Sequence, residues 1–113
     1  MTASMSNDNK LYTVLVRYTV EPENQAELVD VLKRAAGAFE PLPGFVSLTM
    51  HRGLEGKQVM VYLQWRSKED SDACMSNPVW LASGQELYEK FIIPGRATMD
   101  PQAFEIVHAA EAA

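Results

Sequence analysis

The sequence holds a single cysteine, Cys74, and only two histidines, His51 and His108, among 113 residues. One cysteine excludes an internal disulfide and a thiolate metal cluster, and makes the cytoplasm the default compartment. Charge of one sign never gathers: the 10 basic residues are scattered against 15 acidic ones, for a net charge of −5. No basic stripe is available to a phosphate backbone, which excludes nucleic acid as a partner. The longest apolar stretches fall far short of the roughly 20 residues that a membrane span needs, which excludes a membrane partner of that kind. Residues 1–10 lack the apolar segment of a secretory signal and read as a loose tail; the Ala-rich residues 109–113 read as another. Internal repeats are absent. The length leaves room for one domain, residues 11–108, and none for a separate cofactor module.

What is present suffices for a core. At 47% hydrophobic and 22% charged, the composition is that of a soluble globular domain. Such a chain buries roughly two-thirds of its unfolded surface without staples. Residues 11–20 (LYTVLVRYTV) are rich in β-branched and aromatic types and predict a strand, apolar on both faces and therefore covered on both sides. A helix is expected over 22–39. Pro22 suits its first position, Glu21 and Glu23 its positive end, and Leu28, Leu32, Ala35 and Phe39 one apolar stripe. Pro41, Pro43 and Gly44 end it.

Two strands follow at 45–52 and 58–66, joined through Gly53 and Gly56 as a hairpin. Ser67, with Asp70 three residues on, has the form of a helix cap, and Asn77-Pro78 that of a second helix start. Residues 103–108 are expected to form the last strand. The order strand, helix, strand, strand, helix, strand is that of an α+β, ferredoxin-like split βαβ fold with a four-stranded antiparallel sheet. Both helices cover one face. Regular alternation leaves Leu11, Leu15, Val46, Leu48, Met50, Met60 and Tyr62 on the other, too apolar for water, so a second sheet is expected to cover it in a homodimer.

Pro43-Gly44-Phe45 leading to Ser47 and His51, then VMVYLQW over 59–65, then Ser67-Lys68-Glu69, resemble the antibiotic biosynthesis monooxygenases. The resemblance spans about residues 11–108. It implies a dimeric α+β barrel and an oxidoreductase. The closest pattern is that of the cofactor-independent oxygenases that turn anthrones or quinols into quinones. In those enzymes an electron-rich phenol or enol loses a proton and its anion passes an electron to O2. The radical pair then recombines to a peroxide that collapses to a quinone and water. The substrate is its own reductant, so the implied site is an apolar slot for a flat ring with a polar contact for the anion, and neither cofactor nor metal.

Alternation places Phe45, Ser47, Thr49 and His51 on one strand face, and Val59, Val61, Leu63 and Trp65 on one face of the next. The resemblance implies that these faces line a pocket under the helices, completed by Tyr18, Met75, Trp80, Tyr88 and Phe91. Trp65 is then a catalytic wall for the ring with its N–H as donor, or a core residue closing the sheet. His51 is a base for the phenol or an inert hairpin-end histidine. Ser47 and Thr49 bind ligand oxygens or only backbone and water. Cys74 and His108 read as structural.

Some positions depart from the family pattern. The asparagine that several family oxygenases carry four residues before the tryptophan is Val61 here, and the first-strand asparagine of others falls at Val16 or a neighbour. Residues 75–91 contain no histidine, which disfavours the haem-degrading branch. Two functions are therefore carried forward: oxygenation of a phenolic or polycyclic aromatic, and a non-catalytic dimer that binds a small apolar molecule or serves as an accessory subunit. Cyclisation or isomerisation without oxygen uptake is a third.

Overall fold

The computed structural model describes residues 10–112. Residues 1–9 of the expected tail at 1–10, and residue 113 of the one at 109–113, lie outside that range. Strand β1 (Tyr12–Val20) leads through a 3-10 turn at Pro22–Asn24 into helix α1 (Gln25–Ala36). Strands β2 (Phe45–Arg52) and β3 (Gln58–Trp65) form the hairpin. Short helices α2 (Lys68–Cys74), α3 (Pro78–Ser83) and α4 (Gln85–Leu87) follow, the last running into a π-turn at Tyr88–Ile92, before strand β4 (Ala97–Glu105). The sheet order is β2-β3-β1-β4, with every neighbour antiparallel. This is the expected split βαβ arrangement.

Local chemistry explains the ends. Ser67 Oγ accepts the Asp70 N–H at 3.1 Å, and Asn77 Oδ1 accepts the Val79 N–H at 2.9 Å, so both caps form where the spacing places them. The amide of Gln25, at the start of α1, donates to the carbonyls of Gly53 and Gln58 at 2.9 and 3.0 Å. That buried bond pair staples the helix to the β2–β3 turn. The core lies between the helices and the sheet face bearing Val16, Tyr18, Val20, Val59, Val61, Leu63 and Trp65, with Leu28, Val31 and Leu32 packed above.

Two expectations need correction. In β2, Phe45 pairs with Trp65 but Ser47 pairs with Gln64, so Val46 is an extra residue in a β-bulge. The bulge inverts every face after it. Leu48 and Met50 pair with Leu63 and Val61 and turn towards the helices, whereas Ser47, Thr49 and His51 turn to the opposite face with Gln64, Tyr62 and Met60. The last strand spans Ala97–Glu105, and His108 lies beyond the ladder. It is an edge strand, where Pro101 can sit in the ladder without breaking the sheet. Within the single chain, the open face of β1 is buried at Leu11 and Thr13 and exposed at Arg17 and Thr19.

Candidate active site

A cavity of about 170 Å³ opens between the sheet and the helices. Its floor is the helix-facing side of all four strands: Val14, Val16 and Tyr18 from β1, Leu48 and Met50 from β2, Val61, Leu63 and Trp65 from β3, and Met99 and Pro101 from β4. Leu32, Ala35, Ala36 and Phe39 from α1 and the turn after it form one wall. Ser71, Cys74, Met75, Trp80, Ser83, Leu87 and Tyr88 form the other. Met75 and Tyr88 are exposed elsewhere on their surfaces, which places them at the mouth. The lining is almost wholly apolar, with no charged side chain among the described residues.

Trp65 closes the deep end. It is 1% exposed and meets Phe39 and Phe45 edge-on, at centroid distances of 6.1 and 5.6 Å, while those two rings stack on each other at 5.9 Å. The indole is therefore both a core strut and part of the wall. Cys74 faces the same space, and burial pushes its thiol up to about 11, so it stays protonated at neutral pH. Burial, aided by the neighbouring Tyr88, pushes the Tyr18 phenol above its ordinary range.

Charge stays outside. Glu86 accepts two hydrogen bonds from Arg34, at 3.0 and 2.8 Å, and one from Lys90 at 2.7 Å. These partners, Arg34 first, hold its carboxyl down at about 2. The group ties α1 to the helical wall from the solvent side. Arg96 does the same below the π-turn: it donates to Lys90 O, Asn24 Oδ1 and Glu27 Oε1 at 3.0, 3.1 and 2.7 Å, with its guanidinium 4.4 Å above the Phe91 ring.

Of the residues expected in the site, Tyr18, Val61, Trp65, Met75, Trp80 and Tyr88 line the cavity together. Phe91 does not; it is fully buried in the core beneath Arg96. Ser47, Thr49 and His51 lie on the far side of the sheet, where Ser47 donates to Gln64 Oε1 at 3.1 Å and the exposed His51 packs edge-on against Tyr62 at 5.9 Å. Leu48 and Met50 take their places as pocket residues, moved there by the bulge. Met99 and Pro101 also line the site unforeseen. The alternation of Ala97 and Met99 inward with Thr98 and Asp100 outward marks them as strand residues, but Pro101 masks it. Among the described residues no group of three or more His, Cys, Asp or Glu could hold a metal ion, and no helix is long and apolar enough to cross a membrane.

A helix-covered antiparallel sheet with an apolar cavity on its covered face defines the class of a small α+β domain with a candidate site for an apolar molecule. Comparison with known proteins sharpens that class. Residues 11–85 match the antibiotic biosynthesis monooxygenase family. The chain is 39% identical over 77 residues to the tetracenomycin-F1 monooxygenase of Streptomyces glaucescens, covering 67% of this chain and 69% of that protein. Among solved structures, SnoaB, a cofactor-independent oxygenase from Streptomyces nogalater, superposes with a TM-score of 0.67 at 22% identity, covering 84% of this chain and 91% of that one. The ActVA-Orf6 monooxygenase of Streptomyces coelicolor, in complex with nanaomycin D, superposes with a TM-score of 0.70 at 22% identity, over 89% and 94% of the two chains. These structural likenesses establish the fold. The chain belongs to the antibiotic biosynthesis monooxygenase family, and it is an oxidoreductase.

Proposed function

We propose that the protein oxidises a phenolic or polycyclic aromatic, of anthrone or quinol type, to a quinone with O2 and without a cofactor. The observation that carries this reading is the apolar cavity under the helices, bounded by Trp65 and Phe39 and free of charged side chains among the described residues. The relatives are consistent with it: one acts on tetracenomycin F1 by its name, and another is described as a cofactor-independent oxygenase.

For an anthrone, each ring methylene consumes one dioxygen and yields one ring carbonyl and one water. Loss of a proton from the methylene gives the enolate, which transfers one electron to O2. The resulting radical and superoxide join to form a C–O bond, and protonation gives a hydroperoxide. Loss of the remaining C–H proton and cleavage of the O–O bond then leave the carbonyl and water. The chain's residues hold the ring flat between Trp65 and the helical wall and keep bulk water from the radical pair. Among the described residues the lining carries no Asp, Glu or His, and burial keeps the Cys74 thiol protonated at neutral pH.

The same reading places a second copy of the chain against the open sheet face, in the cytoplasm. Leu15, Met60 and Tyr62 lie on that face, and Phe104 is 46% exposed there. Thr13 Oγ1 and Gln64 Nε2, on the same face, are buried without a hydrogen-bond partner among the described residues.

The test is oxygen uptake by chelator-treated protein offered anthrones, naphthols and hydroquinones, against a buffer blank. Uptake above the blank, matched by quinone and lost when Val61→Trp fills the cavity, is expected. Uptake no faster than autoxidation across the panel, with no aromatic bound, refutes the reading. Light scattering that shows a monomer at micromolar concentration refutes the dimer.

A further inference from the structure

An almost wholly apolar cavity makes its few polar atoms informative. Ser83 Oγ is committed, donating to the Trp80 carbonyl at 2.8 Å. Cys74 offers only a weak thiol donor. Two phenols remain. Tyr18 stands in the middle of the floor, 6% exposed, and its neighbours across the ladders are Val59 and Met99, neither of which offers a side-chain acceptor of strength. Among the described residues its hydroxyl has no hydrogen-bond partner. Tyr88 comes from the opposite wall, 39% exposed, at the first residue of the π-turn. The Tyr88 carbonyl accepts the Ile93 N–H at 2.8 Å, the i+5 bond that defines the π-turn. Single π-turns inside helices recur at functional positions, because the extra residue re-aims a side chain.

We infer that Tyr18 and Tyr88 form a two-donor clamp for one oxygen of the ligand, and that the clamp selects the phenolate or enolate form over the neutral phenol. This rests on the reading that the cavity receives a hydroxylated aromatic. The Tyr18 hydroxyl, with no acceptor among the described residues, is left to meet an acceptor that arrives with the ligand. Hydrogen bonds to an ionised oxygen are shorter and roughly twice as strong as those to a neutral one. The clamp offers donors only. Cys74 is the remaining ionisable group in the lining among the described residues, and it stays a thiol at neutral pH. Burial likewise keeps Tyr18 an O–H through and beyond the neutral range, so it acts as a donor and not as a base. The ligand's proton leaves to solvent at the mouth, beside Met75 and Tyr88.

A nitronaphthol, coloured only as its anion, reads this directly when titrated under nitrogen with the intact protein. The bound dye is expected to ionise one to two pH units below the free dye, the anion being held about ten- to a hundredfold tighter than the neutral form. Tyr18→Phe and Tyr88→Phe each remove part of that shift, and the double variant removes it. The same nitronaphthalene without its hydroxyl binds wild type and variants alike, since both phenyl rings remain. If that isostere binds but the dye's ionisation is unshifted, or the shift survives in the double variant, the clamp is overturned and the cavity reading stands. If neither compound binds, the cavity reading fails and the clamp falls with it.

Discussion

Replacing Trp65 by alanine tests the packing and the site together, and the structure sets the size of the effect. A buried indole removes roughly 200 Å² from water, worth about 5 kcal/mol at about 25 cal/mol per Å². Extended-chain areas are upper bounds, and large aromatic truncations measured in cores cost about 3–5 kcal/mol. The edge contacts to Phe39 and Phe45 are lost at the same time, so about 4 kcal/mol is expected. A domain of this kind has about 5–15 kcal/mol in all. Urea unfolding followed by far-UV circular dichroism should show that loss, with a drop in Tm of about 15 °C at about 4 °C per kcal/mol. Lost activity in Trp65→Ala is then ambiguous, because part of the protein is unfolded. Trp65→Phe removes the ambiguity: it keeps a ring in the aromatic cluster and should cost about 1–2 kcal/mol. Its kcat/KM should still fall about tenfold, as the indole N–H and the width of the wall are lost. A cost below about 1 kcal/mol for Trp65→Ala would refute the view of this residue as a core strut. Unchanged kcat/KM in Trp65→Phe would refute its part in the site.

Three further outcomes follow from particular contacts. Gly44 sits at φ +78°, and a methyl there would collide with the Asp70 carboxylate, so Gly44→Ala should cost more than about 2 kcal/mol in urea unfolding. Gly95, at the same φ but with open space around it, should cost only about 1 kcal/mol, and equal costs would show that the collision relaxes away. His51→Ala should leave oxygen uptake within about twofold of wild type, because the ring lies across the sheet from the cavity; a loss of an order of magnitude would move the reaction to the other face. Cys74 titrates from 9.0 when unfolded to about 11 when folded, so between those values the unfolded state holds fewer protons and stability falls as pH rises. Tyr18 acts in the same direction at still higher pH. Thermal midpoints should therefore be insensitive to this thiol below about pH 9 and decline above it, less steeply in Cys74→Ala. An identical alkaline decline in that variant would refute the assignment.

The fold was legible because its signals are local. A serine three residues before Asp70 and an asparagine before Pro78 fix helix starts by bonds within one turn, and both bonds form. The β1 and β3 faces follow alternation without interruption, so Tyr18, Val61 and Trp65 reach the cavity as expected. The residues misplaced by sequence reasoning depend on non-local geometry. A one-residue bulge at Val46 leaves no mark in composition, since Val46 is as good a strand residue as its neighbours. Yet it exchanges Ser47, Thr49 and His51 for Leu48 and Met50 at the site. Pro101 suppresses the signal of β4 because a proline argues against a strand unless that strand is at an edge, and edge position is a property of the whole sheet. The exchange has a chemical consequence. Without the bulge the cavity would carry an imidazole and two hydroxyls on its β2 wall; with it, that wall is a leucine and a methionine. General-base catalysis from β2 is thereby removed, and what the cavity retains is an apolar lining with a few neutral donors, Tyr18 and Tyr88 among them. That lining matches the reaction proposed for it, in which the substrate supplies its own electrons.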